Sequence, residues 1–296
     1  MFSGSIVALV TPFKGEKVDY KKIEELVEFH IKSGTNGIVP CGTTGEAPTL
    51  DYEEHKKVIE TVVKAVNKRV PVIAGTGSNS TAETVYLTEF AKNIGADAVL
   101  ISTPYYNKPS QRGLYEHYKK VNDSVDIPIV LYNVPGRTAV AFTPETVANL
   151  YKLKNVAAIK EASGNIEVAS QIRSLCDITV LSGDDSMTLP MMSVGGKGVI
   201  SVAANIVPKE MSDMVKSGLG GDFAAAEKLH YKLFGLSKII FIETNPVPIK
   251  AAMEMMGMIE GGVRLPLYAM SEDNRSKLRS AIEEYGLLKK KPGVSN

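Results

Sequence analysis

Lys160 closes the apolar run Asn155-Val-Ala-Ala-Ile159, where a solvated surface lysine would be out of place. A lysine held at the end of a buried strand sheds hydration and can act as a nucleophilic amine. The reference pKa of a lysine lies roughly three units above neutrality, so holding one neutral near pH 7 costs about 4 kcal/mol. Burial and an ordered phenol nearby would offset much of that cost. The competing assignment is a lysine paired with a carboxylate such as Glu161.

Other residues at the ends of apolar runs carry complementary chemistry. Arg137 follows the turn Asn133-Val-Pro-Gly136, and its planar fork suits a carboxylate held bidentately, although a structural salt bridge fits as well. Thr43 and Thr44 lie between Gly42 and Gly45, in a turn whose amides and hydroxyls could grip an anion. Tyr105, Tyr106 and Tyr132 end apolar runs among polar residues, which favours proton handling over core packing. Lys197, in Gly195-Gly-Lys-Gly198, precedes a strand and so belongs to the opposite, structural end.

These residues need a scaffold that gathers strand ends at one mouth. Eight short runs read as strands: Ser5–Val10, Gly37–Cys41, Val70–Ala74, Ala98–Ser102, Ile127–Tyr132, Val156–Lys160, Ile178–Ser182 and Gly198–Val202. Several are apolar without alternation, as parallel strands covered on both faces are. Amphipathic stretches separate them. Ile23, Leu26, Val27, His30 and Ile31 share one helical face, Asp51 with Glu54 reads as a capping box, and Thr143-Pro144 as a helix start. Eight strand–helix units predict an α/β fold, a (β/α)8 TIM barrel. An open doubly wound sheet competes, but the first strand–helix turn, TPFKGEKVDY, has no glycine-rich dinucleotide fingerprint. Beyond Pro208 the strand signal stops. The expected division is a barrel over residues 1–220 and a C-terminal helical extension over 221–296, with helices at Phe223–Ile240, Pro246–Met256 and Ser271–Tyr285. The methionines at 253–258 are expected to pack in its core.

Composition excludes several classes. With 34 basic and 33 acidic residues the net charge is +1, which gives no electrostatic drive toward nucleic acid or anionic lipid. Two cysteines (Cys41 and Cys176) and four dispersed histidines argue against a disulfide framework or a histidine-built metal centre. Apolar runs fall well short of the roughly 20 residues of a membrane span. The N-terminal MFSGSIVALVTPF shows neither a basic start nor a cleavage signature, so a cytoplasmic protein is expected.

The motifs GTTGE (42–46), YYNKP (105–109), YNVPGRT (132–138), KEASGN (160–165), SGDD (182–185), GVISV (198–202) and ETNPVPIK (243–250) occur together and in order. In this combination the sequence resembles the dihydrodipicolinate synthase family over essentially its whole length. The resemblance implies a Schiff-base-forming carbon–carbon condensing lyase that uses neither metal nor organic cofactor. It would join pyruvate to (S)-aspartate 4-semialdehyde in the diaminopimelate route to lysine. Lys160 matches the imine-forming lysine and Tyr132 the phenol that shuttles its protons. Thr43 and Tyr106 match the rest of a proton relay, the tyrosine being supplied by the neighbouring subunit of a tight dimer. Thr44, Ile200 and Gly183 match positions around the pyruvate carboxylate, and Arg137 matches the residue that receives the carboxylate of the semialdehyde. The implied assembly is a homotetramer, a dimer of tight dimers.

In lysine-sensitive members, lysine binds at the tight-dimer interface. The matching positions here are Pro48, Tyr52, His55, Gly77, Asn79, Glu83 and Tyr105. Tyr52 departs from the pattern, since the sensitive members carry a second histidine there. The alternative activity is that of a sister pyruvate lyase, such as N-acetylneuraminate lyase or a keto-deoxy-sugar-acid aldolase. A phosphate-handling barrel using Gly195-Gly196, and an amino-acid sensor that kept the fold but lost turnover, are more distant alternatives.

Overall fold

In the computed structural model, which describes residues 2–288, strand β1 (Gly4–Ala8) is central to a ring of parallel strands. It pairs on one side with β2 (Gly37–Val39) and on the other with β8 (Gly198–Ser201), so the chain's first and last strands are neighbours. From β8 the order runs through β7 (Thr179–Ser182), β6 (Val156–Glu161), β5 (Ile129–Asn133) and β4 (Ala98–Ser102) to β3 (Ile73–Gly75). The seam between β2 and β3 is closed by a parallel bridge, Ile38 to Val72, and by the Gly75 amide donating to the Pro40 carbonyl at 2.9 Å. The expected (β/α)8 barrel is the observed fold. The open-sheet alternative is overturned by that closure.

Two strands start two or more residues later than the apolar pattern suggested, and proline explains both. Val70–Ala74 gives way to Ile73–Gly75 and Ile127–Tyr132 to Ile129–Asn133, because Pro71 and Pro128 have no N–H to donate to the ladder. Both prolines serve as acceptors instead: Ile38 N donates to Pro71 O at 3.0 Å and Val99 N to Pro128 O at 2.9 Å. The segment after β1 carries a small antiparallel hairpin, Phe13–Lys14 with Lys17–Val18, that periodicity did not suggest.

Helices α1 (Tyr20–Lys32), α2 (Tyr52–Val66), α3 (Thr81–Asn93), α4 (Gln111–Ser124), α5 (Pro144–Leu150), α6 (Ile166–Leu175), α7 (Thr188–Ser193) and α8 (Pro208–Leu219) follow the strands. Asp51 and Glu54 form the expected reciprocal capping box, and Thr143 caps α5 ahead of Pro144. The barrel buries two apolar layers. Between strands and helices lies the larger one, while Ile6, Ala8, Val39, Ile73, Leu100, Val130, Ala158, Leu181 and Ile200 fill the inside of the ring. Past α8 come α9 (Phe223–Ile239), α10 (Val247–Met255) and α11 (Glu272–Tyr285), with α9 packed on α8 and α11 on both α9 and α10. Met253 is fully buried, and Met255, Met256 and Met258 pack against the core. Residues 289–296 of the expected extension lie outside the described residues. Among the described residues no helix is long and apolar enough to cross a membrane.

Candidate active site at the strand C-termini

Alternation along β6 decides where its charged residues go. Lys160 follows Ala158 on the inner face, while Ile159 and Glu161 face the helices. Lys160 is buried, and its Nζ lies 4.4 Å from the centroid of the Tyr132 ring. Register produces that contact, since Tyr132 on β5 is the direct ladder partner of Lys160. An amine or iminium at this point sits over an aromatic face, which attracts a cation electrostatically. Glu161 is not its partner: one carboxylate oxygen accepts from Asn133 Nδ2 at 2.8 Å and the other from the Ser163 amide at 2.6 Å.

Gly183 leaves room for the lysine. A Cβ built there would meet Ala162 Cβ at 2.5 Å and Lys160 Cε at 3.0 Å. Ile200, fully buried on β8, belongs to the inner apolar layer that includes Tyr132. Asp185, the last residue of SGDD, fixes the end of β8. Its carboxylate accepts from Ser201 Oγ and from the amides of Val202 (3.1 Å) and Ala203 (2.9 Å), although burial pushes its pKa up.

The GTTGE segment forms a tight turn after β2, in which the Gly45 and Glu46 amides donate back to the Gly42 and Thr43 carbonyls at 3.1 Å each. Thr43 faces a cavity of about 610 Å³ together with Tyr132 and Arg137. Thr44 is buried, and its Oγ1 accepts from Asn245 Nδ2 at 3.0 Å. Arg137 stands on the short helical turn Pro135–Thr138, with Nη2 donating to the Asn245 carbonyl at 3.1 Å. That bond is to a neutral acceptor, which leaves the charge of Arg137 free to face a ligand carboxylate.

The structure does not bring Tyr106 to this mouth. It is 90% exposed, adopts a left-handed backbone (φ 73°), and does not line the cavity of its own chain. Its neighbour Tyr105 does. So do Pro48, Tyr52, His55, Gly77 and Glu83, whereas Asn79 lies outside the lining, its carbonyl accepting from Asn107 Nδ2 at 2.9 Å. One continuous hollow thus runs from Tyr132 and Arg137 to these residues. The Glu83 carboxylate accepts from Ser78 Oγ at 2.6 Å, and this hydroxyl, with the Tyr52 phenol beside it, lowers its pKa. His55 Nε2 bonds the Gly75 carbonyl at 2.8 Å, and burial lowers the ring's pKa.

Sequence reasoning missed the residues that tie this mouth to the C-terminal helices. Glu46 and Lys250 form a buried ion pair at 2.6 Å, Glu46 also accepts from the Arg264 amide at 3.0 Å, and Lys250 Nζ lies 4.0 Å from the centroid of the Phe13 ring. A lysine inside the apolar stretch Pro246–Met256 was the available signal. Gly195 and Gly196 precede β8 at the far end of the barrel, with the Gly196 amide bonded to Met191 O, which excludes the phosphate-loop alternative. Among the described residues no three His, Cys, Asp or Glu side chains cluster as metal ligands would.

Comparison with known proteins agrees with this geometry. The model of the dihydrodipicolinate synthetase family matches residues 1–285. The 4-hydroxy-tetrahydrodipicolinate synthase of Thermodesulfovibrio yellowstonii is 57% identical over 291 residues, 98% of this chain and 100% of the relative. The crystal structure of dihydrodipicolinate synthase from Aquifex aeolicus superposes with a TM-score of 0.96 at 52% identity, covering 98% of this chain and 100% of the other. The chloride-inhibited dihydrodipicolinate synthase of Acinetobacter baumannii, solved with pyruvate, gives a TM-score of 0.95 at 47% identity, covering 97% and 100%.

Proposed function

The chain belongs to the dihydrodipicolinate synthetase family, and from that premise we infer that it condenses pyruvate with (S)-aspartate 4-semialdehyde to 4-hydroxy-tetrahydrodipicolinate. The observation that carries this reading is the buried Lys160 amine over the face of its ladder partner Tyr132, at the mouth of a barrel 57% identical to a 4-hydroxy-tetrahydrodipicolinate synthase.

The Lys160 amine adds to the pyruvate ketone, and loss of water leaves an imine. Its protonated nitrogen draws electrons from the methyl group, which gives up a proton to form an enamine. The enamine carbon attacks the semialdehyde's aldehyde, making the carbon–carbon bond. The amino group of the second substrate then adds to the imine carbon, closes the ring and displaces Lys160. The iminium is the electron sink, so neither metal nor organic cofactor is required.

Tyr132 carries protons to and from the amine, with Thr43 and the Tyr106 of a second copy completing the relay. Thr44, Gly183 and Ile200 surround the pyruvate carboxylate, and Arg137 receives that of the semialdehyde. The outward Tyr106 supports an assembly in which tight dimers complete each other's sites, two dimers making a homotetramer. The same reading places the enzyme in the cytoplasm, in the diaminopimelate route to lysine. The similarity to synthases favours this over a sister pyruvate lyase.

Borohydride reduction in the presence of pyruvate, followed by peptide mass spectrometry, tests the reading. A reduced pyruvate adduct is expected on Lys160 alone and is lost in Lys160→Ala. Labelling of another lysine, or none in active protein, overturns it. Rates with aspartate semialdehyde against N-acetylneuraminate separate the synthase from a sister lyase.

A further inference from the structure

Asn245 reaches both halves of the site from outside the barrel. It lies in the connection between α9 and α10, it is buried, and it sits 201 residues after the threonine it contacts. Its Nδ2 donates to Thr44 Oγ1 at 3.0 Å, while its backbone carbonyl accepts from Arg137 Nη2 at 3.1 Å. Five residues further on, Lys250 pairs with Glu46, so the two segments are pinned together at a second point.

A hydroxyl has one hydrogen to give and two lone pairs to fill. An amide N–H occupying one lone pair of Thr44 Oγ1 offers that hydroxyl no acceptor in return. The Thr44 hydrogen is therefore free for another acceptor, and the incoming N–H polarises the hydroxyl into a better donor. Building on the assignment of Thr44 to the pyruvate carboxylate and Arg137 to the second substrate, we propose that Asn245 is a positioning residue. It aims the Thr44 hydroxyl at the pyruvate carboxylate through its side chain and anchors Arg137 through its main chain. Only an uncharged donor serves at this atom. An aspartate would accept the Thr44 hydrogen and repel the substrate anion.

The side-chain and main-chain roles separate by mutation. The readout is the pyruvate concentration giving half-maximal borohydride trapping in the full-length protein, with thermal melting and the KM for aspartate semialdehyde measured in parallel. Asn245→Asp is expected to raise the half-saturating pyruvate roughly 10- to 100-fold, the scale of one hydrogen bond to a charged group. Asn245→Ala keeps the carbonyl that holds Arg137, so it should raise it by about tenfold and shift the semialdehyde KM less than about threefold. In a Thr44→Val background, adding Asn245→Ala should cost nothing further in pyruvate affinity.

A lowered melting temperature with unchanged half-saturation would show a purely structural residue and overturn the proposal. So would equal effects on both substrates, or full additivity with Thr44→Val. If Asn245→Asp fails to fold, Asn245→Ala, which buries no charge, decides between the same outcomes. Absence of any wild-type adduct overturns the assigned reaction itself, and the proposal with it.

Discussion

Gly183 and Lys160 are fitted to each other across β6 and β7, since a Cβ at position 183 would overlap Ala162 Cβ at 2.5 Å and crowd the lysine's Cε and Cγ at 3.0 and 3.1 Å. Gly183 cannot retreat, because its amide is bonded to the Glu161 carbonyl at 2.7 Å. Overpacking of this kind costs about 1–3 kcal/mol. We expect Gly183→Ala to slow trapping of the pyruvate adduct roughly 5- to 150-fold, as that energy implies, with an unchanged circular dichroism spectrum. Wild-type trapping rates in the variant would show that the strands open freely.

The Glu46–Lys250 pair is buried on both sides, at 0% and 1% side-chain exposure, and burial lowers the Lys250 pKa against the opposing pull of Glu46. Removing one partner strands a charge in the interior. Either Glu46→Ala or Lys250→Ala should therefore lose about 3–5 kcal/mol in urea unfolding. Replacing both together with Glu46→Leu and Lys250→Met should recover much of that loss. A double replacement as unstable as the singles would mean that the Arg264 and Phe13 contacts dominate.

Arg137 is held by a neutral carbonyl and faces the hollow with its charge unspent. Arg137→Ala should raise the KM for aspartate semialdehyde far more than that for pyruvate, a loss on the scale of about 2–5 kcal/mol. Equal changes in the two constants would assign the arginine to the scaffold.

His30 and His117 are buried without an anionic partner, and burial pulls their pKa values from 6.5 to about 3 and about 4. Both then bind protons less readily folded than unfolded. Their contribution to stability is complete above pH 6.5 and is lost as pH falls toward those folded values. Each should cost on the order of 1.4 kcal/mol per pH unit within that window. The melting temperature should thus drop between pH 7 and pH 5, with a shallower slope in His117→Gln. A flat profile over that range would contradict the burial of these rings.

L-Lysine is expected to bind near Glu83, Tyr105 and His55 and to inhibit partially. Glu83, ionised and held by Ser78, suits the ligand's ammonium group. Tyr105 adjoins Tyr106, so a ligand bound there would be one peptide unit from the proposed relay. Glu83→Ala should remove the response. Calorimetry without heat, and rates unaffected at high millimolar lysine, would show that no such site operates.

The barrel was legible because its signals are local. Covered parallel strands read as apolar runs, and polar motifs at their C-terminal ends mark the mouth. Strand starts were misplaced by more than one residue where Pro71 and Pro128 removed a donor from an otherwise suitable run. The hairpin at Phe13–Val18 was missed because strands this short, two residues each, carry no period. Partners distant in sequence were illegible for a different reason. Nothing near Thr44 announces Asn245, nor anything near Glu46 its Lys250, since packing of the C-terminal helices against the barrel mouth is what brings them together.

That separation has a consequence during synthesis. Lys250 follows Glu46 by 204 residues, an interval of roughly 10–40 s at 5–20 residues per second on a ribosome. Throughout it, the GTTGE turn holds an acidic side chain destined for the interior with no counter-charge yet made. β1 likewise waits for β8. Lys160 is likewise translated 90 residues before Lys250, so the proposed site is complete only once the helices beyond the barrel have emerged.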